Sequence, residues 1–154
     1  MNLTQTQTTE NQDWNDGYLL NIDSIDKQHI KFFKLYDVIM SMSKSEENSF
    51  RLKEVLDELQ EYTNYHFLTE ETLMQNANSP GYDLHVIQHD FFRNKINEFL
   101  MAYNYQNKVL LDQIVIFMRK WLLSHISNMD REYVDSVQQY ILKNAQVNKN
   151  DRYE

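Results

Sequence analysis

All five histidines of this chain fall into one spacing pattern, and none is left over. The pattern consists of His29 alone, His66 four residues before Glu70, His85 four residues before His89, and His125 five residues before Asp130. Residues four apart on a helix lie only about 40° apart around its axis, so each such pair shares a face. Imidazole and carboxylate are good ligands for divalent first-row metals, and helical bundles commonly build such sites on inward faces. The spacing therefore predicts a histidine-rich two-metal centre.

The five-residue spacing between His125 and Asp130 does not fit a regular helix. Five residues correspond to about 500° of rotation, which leaves the two side chains about 140° apart. If both bind one centre, the helix must widen, break or turn between them. We therefore predict irregular backbone near residues 128–130, and such an irregularity inside a helix often marks a functional site.

The composition favours a few long helices in a single domain. The chain has 154 residues, with only two glycines and one proline, so residues that form turns are scarce. There is no cysteine, which excludes disulfides, thiolate catalysis and cysteine-ligated zinc or iron–sulfur sites.

Charge and hydropathy argue against nucleic acid and membrane partners. The formal net charge is −8, and the basic residues are scattered rather than clustered. Residues 1–12 do not read as a secretory signal, and the most apolar stretch, 109–123, is too short and too charged to span a bilayer. We expect a cytoplasmic protein with flexible tails over 1–12 and 147–154 around one domain over 13–146.

Apolar periodicity predicts an all-α, up-down-up-down antiparallel four-helix bundle with a short C-terminal helix. The expected helices cover about 24–43, 49–76 and 83–106. A fourth is expected after residues 105–108, carrying Ile114, Phe117, Trp121, Leu122 and His125, and a short helix over about 131–143 follows it. Ser24 or Asp26 is the expected N-cap of the first helix, and Asp83 that of the third.

Four stretches of the chain contain the candidate histidine ligands: residues 25–29 (IDKQH), 66–71 (HFLTEE), 85–89 (HVIQH) and 121–126 (WLLSHI). Together with Asp130 and Tyr133 they resemble hemerythrin in its single-domain bacterial form. The resemblance covers about residues 14–133. It implies a four-helix bundle that binds dioxygen reversibly at two non-haem iron ions joined by an oxo or hydroxo bridge.

The resemblance also implies which residues hold which ion. One iron would be held by His85, His89 and His125, the other by His29 and His66, and both would be bridged by Glu70 and Asp130. With the oxo or hydroxo bridge, this set leaves one coordination position open on the iron that has two histidines. An open position distinguishes a reactive metal site from a closed structural one, and dioxygen would bind there.

Reversible binding of dioxygen needs a dry pocket beside this open position. Trp121, Leu122 and Ile126 flank His125 and are the expected lining, although core packing could be the sole role of Trp121. Ser127 stands where animal hemerythrins have leucine, so it bears on how dry the pocket is and how long the oxygenated form survives.

Other residues near the motif have a structural interpretation. Asn21 stands where bacterial relatives commonly have glycine, and asparagine tolerates left-handed backbone. Glu71 points about 100° away from Glu70 and is expected to be a solvated helix charge. The ten tyrosines are expected to be amphipathic residues at the edge of the core rather than radical sites or hydrogen-bond partners of the ligands.

The spacing alone leaves the metal and the function open. Zinc, manganese or cobalt would also suit these ligands, and iron is implied only by the resemblance. The leading function is a non-enzymatic oxygen carrier or store that could deliver dioxygen to respiratory or oxygenase enzymes. The alternatives are a sensor of oxygen, nitric oxide or redox state, and a peroxide-reducing or iron-holding protein. A monomer is favoured, although the sequence does not fix the oligomeric state.

Overall fold

The computed structural model describes residues 14–44, 51–103 and 108–150, and its described secondary structure is almost entirely helical. The helices are α1 (Asp23–Ser43), α2 (Leu52–Asn76), α3 (Tyr82–Ala102), α4 (Lys108–Ser124) and α5 (Asp130–Asn150), with a π-helical turn at His125–Met129 and a short 3-10 turn at Asp16–Tyr18. The predicted all-α bundle is confirmed. Three predictions lie outside the described residues: the tail over 1–12, the start of the second helix at Ser49 and the end of the third helix at Gln106.

The first four helices form a closed ring around one core. Each helix packs against the next in sequence, and α1 also packs against α4, as expected for an up-down-up-down bundle. The main core contains fully buried aromatic and aliphatic side chains such as Phe32, Phe67 and Ile114. A smaller apolar cluster, which includes Ile25 and Tyr133, lies where α5 packs on the bundle. No helix within the described ranges is long and apolar enough to cross a membrane.

The start of α1 differs from the prediction. The helix begins at Asp23 after Ile22, and no side chain caps it, so the assignment of Ser24 or Asp26 as N-cap was wrong. The carboxylate of Asp26 instead accepts a hydrogen bond from the backbone N–H of Leu20 at 2.8 Å. Asp26 therefore fixes the incoming loop rather than the first turn of the helix.

Left-handed residues lie in the turns that precede α1 and α3. Asn21 has φ of 58°, which confirms that asparagine supports the turn before α1. Gly81 has φ of 76° and occupies the N-cap position of α3, whereas Asp83 lies inside the first turn and is not the cap. At this position Asp83 still complements the positive end of the helix dipole.

The irregular backbone predicted after α4 is present as the π-helical turn. It covers His125–Met129, so it begins earlier than the predicted 128–130. The backbone N–H of Asp130 bonds to the carbonyl of His125, five residues back, and the side-chain amide of Asn128 donates to the carbonyl of Ser124 at 2.9 Å. The extra residue is thus absorbed without breaking the helix.

The C-terminal helix was predicted too short. It follows the π turn directly at Asp130 and runs past the predicted end at Lys143 to Asn150, into the segment expected to be a tail. Residues 141–148 are exposed throughout, so no apolar periodicity marks this extension in the sequence.

Candidate metal centre

The structure brings all seven predicted ligands together in the interior of the bundle. They are His29 from α1, His66 and Glu70 from α2, His85 and His89 from α3, His125 from the π turn and Asp130 from α5. Each of these residues is at most 4% exposed. Burial of so many polar side chains at one place is costly unless they have partners, so the cluster is built for a bound group.

The ligand atoms form two groups that share Glu70. One group contains three histidines, His85, His89 and His125, with Glu70 and Asp130, and the other contains His29, His66 and Glu70. Within each group the candidate ligand atoms all lie within 4.8 Å of one another. The division into three and two histidines is the one that the resemblance implied.

The two carboxylates lie between these groups. Oε1 of Glu70 is 3.5 Å from Nε2 of His29, while its Oε2 is 3.1 Å from Nε2 of His89. Oδ2 of Asp130 is 3.2 Å from Nε2 of His29, and its Oδ1 is 3.0 Å from Nε2 of His125. Asp130 therefore presents one oxygen to each side. Glu70 contacts histidines of both groups as well, because its Oε2 is also 3.5 Å from Nε2 of His66, and contact with both groups is what a bridging ligand needs.

The π turn is what places Asp130 in the cluster. On a regular helix its side chain would lie about 140° from that of His125. The widened turn brings Oδ1 of Asp130 within 3.2 Å of Nε2 of His85, across the bundle on α3. The local irregularity is thus part of the site.

Several buried atoms of the cluster have no hydrogen-bond partner among the described residues. They include Oε2 of Glu70, Nε2 of His85 and both carboxylate oxygens of Asp130. Buried polar atoms in proteins are nearly always paired, and each exception needs an explanation. Imidazole nitrogens and carboxylate oxygens that face one another without hydrogen bonds fit a pair of divalent metal ions.

The two carboxylates stay ionised despite their burial. Burial raises the pKa of Glu70, but the neighbouring His66 and His29 outweigh it and hold that pKa well below its usual value. Burial and the charge of Glu70 raise the pKa of Asp130, and His125 and His29 bring it well below its usual value. Two negative charges are therefore available to balance metal ions.

Two of the candidate ligand histidines have raised pKa values and one has a lowered pKa. Burial lowers the pKa of His29 and of His85, but the carboxylates of Asp130 and Glu70 outweigh it and raise both pKa values to about 9. For His66 burial dominates and lowers the pKa to about 4. Without metal, two of the candidate ligands thus hold protons that an ion must displace.

Two side chains that no ligand motif identifies hold the outer nitrogens of ligand histidines. Nδ1 of His66 lies 2.8 Å from Oε1 of Gln28, and Nδ1 of His89 lies 2.8 Å from Oε1 of Glu71. Such partners fix the ring orientation and leave Nε2 for the metal. Sequence analysis missed Gln28, which follows no spacing rule.

The interpretation of Glu71 as a solvated helix charge was wrong. Its side chain is only 15% exposed and lies against α3, where it contacts His89 and Arg93. Helical geometry gives the direction of Glu71 relative to Glu70 on α2, but not the neighbouring helix that its long side chain reaches. The structure shows that Glu71 contacts the half-buried Arg93 on α3, and this contact is not visible in the sequence.

Tyr133 is an exception to the general interpretation of the tyrosines. It is 1% exposed, and its hydroxyl donates to Oε1 of Glu70 at 2.6 Å. Burial and then the charge of Glu70 raise the pKa of Tyr133 well above its usual value, so it keeps its proton. Tyr133 thus fixes a candidate bridging carboxylate.

The four residues expected to line the dioxygen pocket have different environments. Leu122 and Ile126 are buried in the main core, and Ser127 is half-buried. Trp121 does more than pack in the core, because its ring stacks on that of His125 at 4.2 Å between centroids and 12° between planes. These positions leave the pocket assignment a prediction.

Comparisons with known proteins give a consistent match. The sequence profile of the hemerythrin HHE cation binding domain matches residues 20–137. Bacteriohemerythrin of Clostridium acetobutylicum is 29% identical over 79% of this chain and 98% of its own length, and bacteriohemerythrin of Pseudomonas paraeruginosa is 31% identical over 80% of each chain. Myohemerythrin of Riftia pachyptila is 30% identical over 78% of this chain and 88% of its own. A crystal structure of wild-type hemerythrin superposes with a TM-score of 0.70 at 23% identity, covering 80% of this chain and 95% of that one.

Proposed function

This chain belongs to the hemerythrin family, and on that premise we propose that it binds dioxygen reversibly at a non-haem di-iron centre, as an oxygen carrier or store. The observation that supports this most strongly is the buried cluster of five histidines and two carboxylates, divided three and two around shared carboxylates. Because of this unequal division, the ion on the two-histidine side would have fewer protein ligands than the other. Its free coordination position would be available to dioxygen.

Each ligand has an assigned place in the proposed centre. One iron would be held by His85, His89 and His125, the other by His29 and His66, and Glu70 and Asp130 would bridge them. When bound, the two ions supply the electrons that hold dioxygen and recover them when it leaves. The protein must keep the ligands oriented and keep water and protons away.

The surroundings of the centre suit binding better than catalysis. Leu122 and Ile126 flank His125 in the chain, are buried in the main core and contribute apolar surface. The hydroxyl of Tyr133 is committed to Glu70, and its raised pKa makes it a poor proton donor. A tyrosine that keeps its proton favours release of dioxygen over its reduction.

A second candidate function, reduction of peroxide at the same centre, is favoured by a different observation. A surface cavity of about 280 Å³ is lined by Lys120, Trp121 and His125, so solvent lies next to one candidate ligand, although the side chain of that histidine is only 3% exposed. Solvent access would shorten the life of an oxygenated form and favour redox turnover.

Oxygen uptake by the reduced, iron-loaded protein separates these two functions. A carrier takes up dioxygen in proportion to its iron pairs and releases it when the solution is flushed with inert gas. A peroxide reductase instead oxidises irreversibly in air and consumes added hydrogen peroxide with a reductant. Rapid peroxide turnover without recoverable oxygen would contradict the carrier proposal.

A further inference from the structure

The two halves of the centre are supported by partners of different charge. On the three-histidine side, Nδ1 of His89 faces the carboxylate of Glu71, whereas on the two-histidine side Nδ1 of His66 faces the neutral amide of Gln28. We propose that Glu71 makes the three-histidine site bind its metal ion more tightly, so that the centre fills in a fixed order with this site first. The inference rests on the proposed function in so far as the cluster must hold two metal ions.

Glu71 is held firmly in contact with His89. Its Oε1 also accepts a hydrogen bond from Arg93 at 2.9 Å, and Arg93 is in turn anchored by Asp90 at 2.7 Å. The guanidinium lies 5.1 Å from the ring centre of Phe67, and this ring stacks on that of His89 at 3.7 Å. The imidazole is thus fixed at its edge by a carboxylate and on its face by an aromatic ring.

The charge on Glu71 strengthens the ligand it contacts. The guanidinium of Arg93 donates to Oε1 of Glu71, and a hydrogen bond from a cation favours the ionised carboxylate. An anionic acceptor draws the Nδ1 proton of the imidazole and makes the opposite nitrogen a better donor to metal. That opposite nitrogen, Nε2 of His89, lies 3.1 Å from Oε2 of Glu70, in the three-histidine group.

Gln28 gives the other side orientation without charge. Its Oε1 lies 2.8 Å from Nδ1 of His66, and its amide nitrogen donates to Oγ1 of Thr69 at 3.4 Å. Gln28 is 8% exposed, so little solvent competes for this contact. The two-histidine site therefore has one imidazole fewer and no anionic partner on the imidazole of His66.

A fixed filling order has a measurable consequence for the half-loaded protein. Its single ion would occupy the three-histidine site, and the two-histidine site would be the first to lose its metal. The site with the open position would thus also be the more easily emptied one. A matched pair of substitutions tests this, because glutamate and glutamine have nearly the same shape and differ in charge.

The experiment is an anaerobic titration of the metal-free protein with Co²⁺, followed by visible absorption. The wild-type protein is expected to bind two ions in two steps. Glu71→Gln keeps an oxygen for Nδ1 of His89 but removes the charge, and we expect it to weaken the tighter step by roughly 10–100-fold while the weaker step is unchanged. A His66→Ala variant identifies the weaker step, because it should remove that step alone.

The reciprocal substitution and a surface control complete the design. Gln28→Glu supplies the missing charge to His66, so the weaker step should tighten by about tenfold or more. Glu98→Gln removes an exposed carboxylate on α3 that pairs with Lys95 at 2.8 Å, and neither step should change.

The outcomes distinguish this inference from the proposed function. Two bound ions in the wild type with an unaltered tighter step in Glu71→Gln would overturn the inference and leave the di-iron proposal intact. Equal weakening of both steps would also overturn it, because Glu71 would then act only on the fold. Fewer than two bound ions in the wild type would overturn the proposed function itself. If Glu71→Gln does not fold, failure of Gln28→Glu to tighten the weaker step overturns the inference.

Discussion

The candidate ligands are held by single hydrogen bonds whose loss should be measurable one at a time. Tyr133 donates to Glu70, Gln28 faces His66 and Glu71 faces His89, and each of these partners is at least partly buried. A buried acceptor that loses its donor keeps the full cost of its desolvation. The candidate ligands themselves could be predicted from the sequence, because residues four apart on a helix share one face. The sequence did not predict their partners, because Gln28 and Glu71 contact residues on other helices.

We expect Tyr133→Phe to destabilise the protein by about 1–3 kcal/mol in the metal-free state, because Oε1 of Glu70 loses its buried donor. Urea unfolding with and without bound metal is the measurement, and the loss should be smaller with metal because the ion balances the carboxylate. Tyr65→Phe, at a ring that is 59% exposed, is the control and should change stability little. Equal losses in the two variants would contradict a specific role for Tyr133.

We expect Ser127→Leu to slow the spontaneous oxidation of the oxygenated protein several-fold. Ser127 is half-buried two residues after His125, and a leucine there would replace a hydroxyl with apolar surface and exclude water. The rate is measured as the decay of the oxygenated spectrum in air. Ser41→Leu on the exposed face of α1 should leave the rate unchanged. An unchanged rate in Ser127→Leu would place this residue outside the dioxygen pocket, and a faster one would contradict the exclusion of water by leucine.

At the level of helices, the π turn between α4 and α5 is the feature that makes the site complete. It carries His125 and delivers Asp130 to the same cluster, and the side chain of Asn128 satisfies the carbonyl of Ser124 within it. The sequence predicted this irregularity because the five-residue spacing is incompatible with a regular helix. It did not predict the cap at Gly81, since Asp83 offered a plausible alternative in the sequence.

Deletion of Asn128 should convert the π turn into a regular helix and disconnect Asp130 from the centre. Removing one residue rotates everything downstream by about 100°, so the carboxylate of Asp130 would leave the cluster. We expect the helical content to stay nearly constant while bound iron falls from two ions to at most one. Circular dichroism and iron analysis measure these two quantities. Deletion of Asn144, on the exposed final part of α5, is the control. A full iron content after deletion of Asn128 would contradict the role of the π turn.

For the molecule as a whole, the unusual feature is a concentrated set of charges inside an otherwise apolar bundle. Seven ionisable side chains lie together next to a core of aromatic and aliphatic residues. Without metal, protons on some histidines balance the two carboxylates, and with metal the ions replace those protons. The sequence predicted the bundle and its buried centre, but the long exposed end of α5 carries no apolar pattern from which it could be inferred.

The stability of the metal-free protein should fall as pH rises from about 6.5 to 9.5. The pKa values of His29 and His85 are raised from 6.5 in the unfolded chain to about 9 in the fold. Their protons therefore stabilise the fold fully below pH 6.5, and this contribution is lost as pH rises through about 9. We expect the melting temperature to drop by roughly 5–10 °C over this range.

Thermal unfolding in the presence of a chelator measures this effect. The metal-loaded protein should show a smaller change, because bound metal ions have already displaced the protons of its ligand histidines. His29→Gln should also show a smaller change, since one of the two titrating groups is gone. A melting temperature for the metal-free protein that is constant or rises with pH would contradict the charge balance described here.

The central claim is that this buried centre binds dioxygen reversibly, and its visible absorption spectrum reports this. The iron-loaded protein is reduced without air, exposed to air and then returned to inert gas while the spectrum is recorded. We predict a ligand-to-metal charge-transfer band that appears with air and disappears when oxygen is removed, through repeated cycles. Direct and permanent conversion to the spectrum of the oxidised protein on the first exposure would contradict the carrier function and favour redox turnover.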